Sequence, residues 1–320
     1  MKSFSAKGML IEQHDLQQII LRGKEMLLKK FKEKGIKYAS ELALQNALDL
    51  EKILKWNEQN DIKFYRMSSD IAPWHSEYEM EELPDFERIA ASLAYSGELA
   101  RKYGQRLTFH PGQYNVIGTN NPEMLQNTIC DLKYHADVLD LMEMDSNSVI
   151  VIHGGGVYGD KKKTIDRWCQ QFSLLPENVQ KRIVLENCEK NFSIDDCLDV
   201  ANRINIPVVF DTHHFECYKI LHPNEIFQEP DIYIHAILET WWKRNIKPKF
   251  HVSEQGTGKT VHHSDFIETI PNYLLEIPDK YGVHIDILIE AKMKELAILK
   301  LYSKYPHLNC QIKSDNSLFD

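Results

Sequence analysis

The 320-residue sequence is poor in the devices of secreted and membrane proteins. Its six cysteines, Cys130, Cys169, Cys188, Cys197, Cys217 and Cys310, contain no C-x-x-C pair. Neither a disulfide framework nor a thiolate zinc site is expected in so large a chain. We read the cysteines as reduced thiols, mostly buried. The opening stretch, "MKSFSAKGMLIEQHD", lacks an apolar signal core. No run approaches the roughly 18 apolar residues of a membrane span. The expectation is a soluble, intracellular protein that is not secreted and has no membrane partner. Positive charge is also short: 38 Lys and Arg face 47 Asp and Glu, a net charge of −9. The global basic footprint of a nucleic-acid binder is missing. A local basic rim would escape that count, and divalent cations at a site offset carboxylates there.

No low-complexity linker, internal repeat or shift of composition marks a boundary. We expect residues 1–320 to form a single domain with a loose C-terminal tail from about residue 304. A hydrophobic content of 43% is ample for a sizeable core.

What the chain has is alternation. The β-type runs are "KFYRMSS" (63–69), "RLTFH" (106–110), "SVIVIH" (148–153), "RIVLEN" (182–187), "PVVFD" (207–211), "PKFHVS" (248–253) and "HIDILIE" (284–290). Several are apolar on both faces, as parallel strands covered by helices are. Helical patterns fill the gaps at 41–57, 85–103, 122–143 and 292–303; in the first, Ala43, Ala47, Leu50 and Leu54 make an apolar stripe. Asn121-Pro122 reads as a cap followed by proline at the first helical position. Ser193 and Asp196 could cap a helix ending near Arg203. The implied fold class is α/β, a TIM (β/α)8-type barrel. Seven strands are counted. The eighth, the first in order, is not evident, because "MKSFSAKG" is a poor strand.

The strands share an ending. Their last residues are His110, His153, Glu186, Asp211, His251 and Glu290, and His214 and His263 lie just beyond two of them. In an α/β barrel these ends converge on one mouth. One histidine at a strand end is ordinary. Six strands ending on ligand-type residues point to a metal site built from imidazoles and carboxylates, a set that suits Zn²⁺, Mn²⁺ or Fe²⁺. One catalytic ion takes about three protein ligands, so eight candidates suffice for two or three ions. Two ions about 3.5–4 Å apart suit in-line phosphoryl displacement.

Single motifs carry less. In "HPGQY" (110–114) the Pro-Gly turn throws Gln113 and Tyr114 out over the mouth; a plain βα turn reads the same way. The glycines of "IHGGG" (152–156) permit close backbone approach to a phosphate. "DTHH" sets Asp211 and His214 three apart, with His213 as a bystander. "KFH" puts Lys249 and His251 on the same side of one strand. A lysine facing a barrel interior is unusual; a salt bridge to a nearby acid is the ordinary alternative. "GTGKT" (256–260) is a decoy, because the P-loop pattern needs glycine at position 253, where Ser253 stands. His75, His135, His222, His235, His262, His284 and His307 read as surface or helix residues, and His14 is unremarkable.

Together, "IKFYRMSSDIAPW" (62–74), "HPGQY", "VIHGGG", "LEN", "DTHH", "FHVS" and "IEAKMKE" (289–295) resemble the ultraviolet damage endonuclease family, in its order, over about residues 45–296. The resemblance implies a TIM-barrel hydrolase related to endonuclease IV. It implies cleavage of the DNA backbone immediately 5′ to cyclobutane dimers, 6-4 photoproducts and abasic sites. It further implies up to three divalent ions, usually Mn²⁺, with Zn²⁺ or Mg²⁺ compatible. The implied metal ligands are His110, His153, Glu186, Asp211, His214, His251, His263 and Glu290. His263 is preferred to His262 because Ser264-Asp265 follows it. Lys249 falls on the family's carbamylated lysine, and Gln113 and Tyr114 on its lesion-probing pair. Two departures stand out. The family's first strand, which brings a tyrosine to the mouth, is not found, and Asp70 stands where some members carry histidine.

The expected reaction is metal-assisted phosphodiester hydrolysis. It would leave 3′-hydroxyl and 5′-phosphate ends, with Glu186, Glu290 and Lys249 as the catalytic set. The expected partner is damaged double-stranded DNA, met by a monomer. Two alternatives remain at this level: a metal-dependent TIM-barrel sugar isomerase, and a damaged-DNA-binding protein without catalysis.

Overall fold

The computed structural model describes residues 3–6 and 28–308. Eight strands run through them: β1 (Ser3–Ala6), β2 (Phe64–Arg66), β3 (Arg106–Thr108), β4 (Ile150–His153), β5 (Ile183–Glu186), β6 (Val208–Asp211), β7 (Lys249–Val252) and β8 (Asp286–Ile289). All pair in parallel, in the order β1-β8-β7-β6-β5-β4 and, separately, β2-β3. Phe109, just past β3, bridges to Ile150 of β4. β1 lies beside β2. The ring of strands therefore closes into a barrel.

The missing strand is a correction to the sequence reading. Ser3–Ala6 pairs with Asp286–Ile289 in continuous register. Its sequence, Ser-Phe-Ser-Ala, contains no β-branched residue, so local propensity does not announce it. A neighbouring strand edge supplies what propensity lacks. The tyrosine that the resemblance leads one to expect in this strand is absent from it. The C-terminal tail is also placed in part: the helix Lys294–Lys304 is followed by a short 3-10 turn, Pro306–Leu308, with Leu308 buried. The remainder of the expected tail lies outside the described residues.

The other seven strands stand where their apolar runs predict. Ile150, Val151 and Ile152 of β4, and Val184 and Leu185 of β5, are buried on both faces of the sheet. The helices begin as their caps require. Asn121 accepts from the backbone N–H groups of Glu123 and Met124, ahead of Pro122. Ser193 and Asp196 form a reciprocal capping box for Ile194–Ile204. The helix predicted at 41–57 is longer, Leu28–Gln59, with a break at Gly35, whose φ of 73° only glycine adopts readily. Trp241, fully buried on the helix Pro230–Trp242, donates its indole N–H to the Val208 carbonyl at 2.7 Å and ties that helix to β6. Among the described residues no helix is long and apolar enough to cross a membrane. Cys130, Cys169, Cys188, Cys197 and Cys217 are all free; Cys310 lies outside the described residues.

The inside of the barrel is unusually polar. Alternate positions on β3, β7 and β8 project inward, so Arg106, Lys249, His251, Asp286 and Glu290 are all buried there. Register sets them in layers, with Lys249 opposite Asp286 and His251 opposite Leu288.

Candidate metal centre

Glu186, the last residue of β5, is fully buried at the C-terminal end of the barrel. Three strands deliver imidazoles to it. His110 Nε2 stands 2.7 Å from Oε2, His251 Nδ1 2.9 Å from Oε1, and His153 Nε2 3.9 Å from Oε2. His214 Nδ1 approaches Oε1 to 3.4 Å. Burial alone would favour the protonated acid, but His251, His110 and His153 hold the Glu186 carboxyl well below the usual carboxylate range.

Two groups of ligand atoms result, each within 4.8 Å of one another: His110, Glu186 and His251; and Glu186, Asp211 and His214. Glu186 belongs to both. Asp211 has a second task, because its Oδ1 caps the helix Thr212–Leu221 by accepting from the N–H groups of His213 and His214 at 2.8 and 2.7 Å. The cap fixes His214 one turn along from Asp211. Ser253 Oγ stands 3.2 Å from both Asp211 oxygens.

The remaining predicted ligands sit at the margin. Glu290 is 3.5 Å from His251 Nδ1, and His263 Nδ1 is 3.8 Å from Glu290 Oε2 and 3.0 Å from the Glu290 carbonyl. His153, Glu290 and His263 thus fall outside the two compact groups while lining the same mouth. His213 takes no part in either group; its ring lies 3.5 Å from Cys217 Sγ.

The donor set suits divalent cations. Buried nitrogens also lack partners: His251 Nε2 and His153 Nδ1 have no hydrogen bond. A buried polar atom without a partner is costly, and coordination is one way to satisfy it. Burial pushes His110 well below its ordinary value, with Arg66 adding to the effect, and burial lowers His153 as well. Neutral imidazole is the ligand form.

Lys249 is fully buried, and its Nζ has no hydrogen-bond partner; it lies 5.0 Å from the Phe64 ring centre. Burial, followed by repulsion from Arg106 and Arg66, pushes its amine well below the ordinary lysine range. The salt-bridge alternative for this residue is not what the structure shows. Gln113 and Tyr114 are both exposed on the loop after β3, Tyr114 at 74%.

Sequence reasoning passed over Arg66. Its Nη1 pairs with Glu290 at 2.6 Å, and Nη2 reaches the His110 carbonyl at 3.3 Å, both at a buried site. It is the arginine of "FYRM", placed inward by strand alternation, so the signal was present. It also missed His75, which is neither on the surface nor in a helix: its ring is largely covered and bonds to Asp131. His135 is helical as expected but fully buried.

The sequence matches the family described as UV-endonuclease UvdE over residues 9–316. A UV DNA damage endonuclease of Clostridium perfringens is 34% identical over 293 residues, 91% of this chain and 69% of that one. The solved structure of SacUVDE superposes with a TM-score of 0.72 at 26% identity, covering 96% of this chain and 98% of the other. Endonuclease IV from Thermus thermophilus shares the fold, with a TM-score of 0.53 at 12% identity over 81% of this chain and 94% of that one.

Proposed function

The chain belongs to the UV-endonuclease UvdE family, and on that premise we propose a metal-dependent repair nuclease that cuts the DNA backbone immediately 5′ to cyclobutane dimers, 6-4 photoproducts and abasic sites. The observation that carries the metal dependence is the sharing of Glu186 between two compact ligand groups. His110, His153, Asp211, His214, His251, His263 and Glu290 complete the proposed ligand set. Divalent cations bound there, Mn²⁺ by resemblance and Zn²⁺ or Mg²⁺ by ligand type, supply the Lewis acidity that activates water and stabilises the departing oxygen.

In this reading water adds to phosphorus, the bond to the 3′-oxygen breaks, and that oxygen leaves with a proton as a 3′-hydroxyl. The phosphate stays on the 5′ end. The protein's part is to hold and orient. Glu186 stays ionised among three histidines, and Arg66 fixes the Glu290 carboxylate. Burial pushes the Lys249 amine toward its uncharged form, the form that adds carbon dioxide and releases a proton to give a carbamate, the modification the resemblance implies. Gln113 and Tyr114 meet the lesion, with Tyr114 stacking on exposed bases. A damaged pair is cheaper to unstack, which favours it. The enzyme acts as a monomer on damaged double-stranded DNA inside the cell. An absent first strand would favour the non-catalytic alternative, and β1 fills that place.

The test is nicking of irradiated against untreated supercoiled plasmid, with chelator and added Mn²⁺ as arms. Cutting restricted to irradiated DNA, lost in chelator and restored by Mn²⁺, is expected. Equal cutting of both plasmids, or cutting indifferent to chelator, would overturn the reading.

A further inference from the structure

Tyr114 stands mostly in solvent, so no pocket fixes its ring. Its place comes from the turn beneath it. The ring rests against Gly112, where an added Cβ would lie 2.5 Å from Tyr114 Cζ. Asn115 closes that turn from the buried side. Its backbone N–H donates to the Gly112 carbonyl at 3.1 Å, and its side-chain amide donates to the same oxygen at 3.2 Å. The amide also donates to Asp131 Oδ2 at 2.8 Å.

Asp131 is held in turn. Its other oxygen, Oδ1, is 2.7 Å from His75 Nε2. The His75 ring stacks flat on Tyr134, with centres 3.7 Å apart and planes 7° from parallel. The Tyr134 hydroxyl accepts from the Ala72 N–H at 2.8 Å and donates to the Ser69 carbonyl at 3.1 Å. His135 Nε2 lies 2.9 Å from Ser69 Oγ. Asp131, Tyr134 and His135 are spaced i, i+3 and i+4, so one face of the helix Pro122–Leu141 grips the loops after both β2 and β3.

We propose that Asp131, clamped between His75 and Asn115, is a positioning residue for lesion reading: it holds the Gly112–Asn115 turn in the arrangement that presents Gln113 and Tyr114 to DNA. This deepens the function proposed above and rests on the reading that Gln113 and Tyr114 meet the lesion. An exposed aromatic that is already in place costs less to order on binding, so the clamp acts through affinity for damage and not through the metal ions.

The experiment compares Asp131→Asn, Tyr114→Ala and the exchange Asn115→Asp with Asp131→Asn in the full chain. Four quantities are read: affinity for a duplex with a single photoproduct, affinity for the undamaged duplex, nicking rate at saturating damaged DNA, and bound metal. Asp131→Asn is expected to lower the damaged-to-undamaged affinity ratio about tenfold, the equivalent of one hydrogen bond to a charged group. The loss should appear in half-saturation, with metal content and saturating rate within about twofold. The exchange rebuilds the 115–131 contact with donor and acceptor reversed but loses the side-chain bond to the Gly112 carbonyl, so it should recover only part of the ratio. If Tyr114→Ala loses the ratio while Asp131→Asn keeps it, the clamp is overturned and the role of Tyr114 stands. If Tyr114→Ala itself keeps the ratio, the lesion-probe reading fails and takes the clamp with it. Should Asp131→Asn not fold, His75→Ala against His75→Gln decides: the glutamine variant retains a donor to Asp131 and should keep the ratio, whereas the alanine variant should lose it. Equal behaviour of the two would overturn the clamp.

Discussion

The two ends of the barrel are both rich in buried charge, and they use it differently. At the N-terminal end the buried arginines have their answers nearby. Arg106 Nη1 pairs with Asp286 at 2.9 Å and donates to the Lys247 carbonyl at 3.0 Å, while Lys247 pairs with the same aspartate. Arg182 donates to Asp140 and to the carbonyls of Asp145, Ser148 and Met144. Each of these two guanidinium groups keeps one nitrogen without a partner, Nη2 of Arg106 and Nε of Arg182, but its charge is met through the others. A cavity of about 660 Å³ opens at this end, lined among others by Lys63, Arg101, Arg106 and Lys247. Neither histidine nor cysteine is among its lining residues. At the C-terminal end, by contrast, four imidazoles crowd one carboxylate, and nitrogens of His251 and His153 go unpaired. Matched charge stabilises a fold. Unmatched ligand atoms around a shared carboxylate leave room for cations.

Breaking the crowded end should cost function most. Glu186→Gln removes the carboxylate common to both ligand groups and is expected to lower nicking on the order of 1000-fold, since several kcal/mol of transition-state stabilisation go with it. Metal analysis of the purified variant should show reduced binding; full occupancy with full activity would refute the shared role.

His135, which contacts Ser69 in the loop after β2, offers a stability test outside the ligand cluster. Burial holds its pKa down at about 4, against 6.5 for the free group. Between those values the unfolded chain binds a proton that the folded chain does not. The stability gained from a neutral His135 is therefore complete above about pH 6.5 and is lost as pH falls toward 4, by up to about 3 kcal/mol. Denaturant titrations of the wild type and of His135→Gln in chelator should diverge in slope across that window. Parallel curves would show that His135 does not drive the acid sensitivity.

Breaking the matched end should move stability and leave chemistry alone. Arg182→Met strands three backbone carbonyls and is expected to cost about 2 kcal/mol. Nicking per folded molecule should match the wild type, and a comparable loss of both would erase the distinction between the ends.

The sequence carried much of this. Seven of eight strands, the capped starts at Asn121 and Ser193, and the convergence of His110, Glu186, Asp211, His214 and His251 were legible because strand period and barrel geometry send strand ends to one mouth. β1 was not legible, because a strand of Ser-Phe-Ser-Ala exists through its pairing with β8 and has no local signal of its own. The grouping of ligands was not legible either: eight candidates gave no reason for His110, Glu186 and His251 to be compact and His153, His263 and Glu290 to be marginal. The links from Asn115 to Asp131 and from Asp131 to His75 span 16 and 56 positions, and no periodicity predicts them. The sequence by itself determined which residue types stand at each strand end, since alternation is a property of the local backbone. Only the tertiary structure decided which of them meet, because ångström-scale separations depend on strand register, helix docking and loop closure between distant parts of the chain.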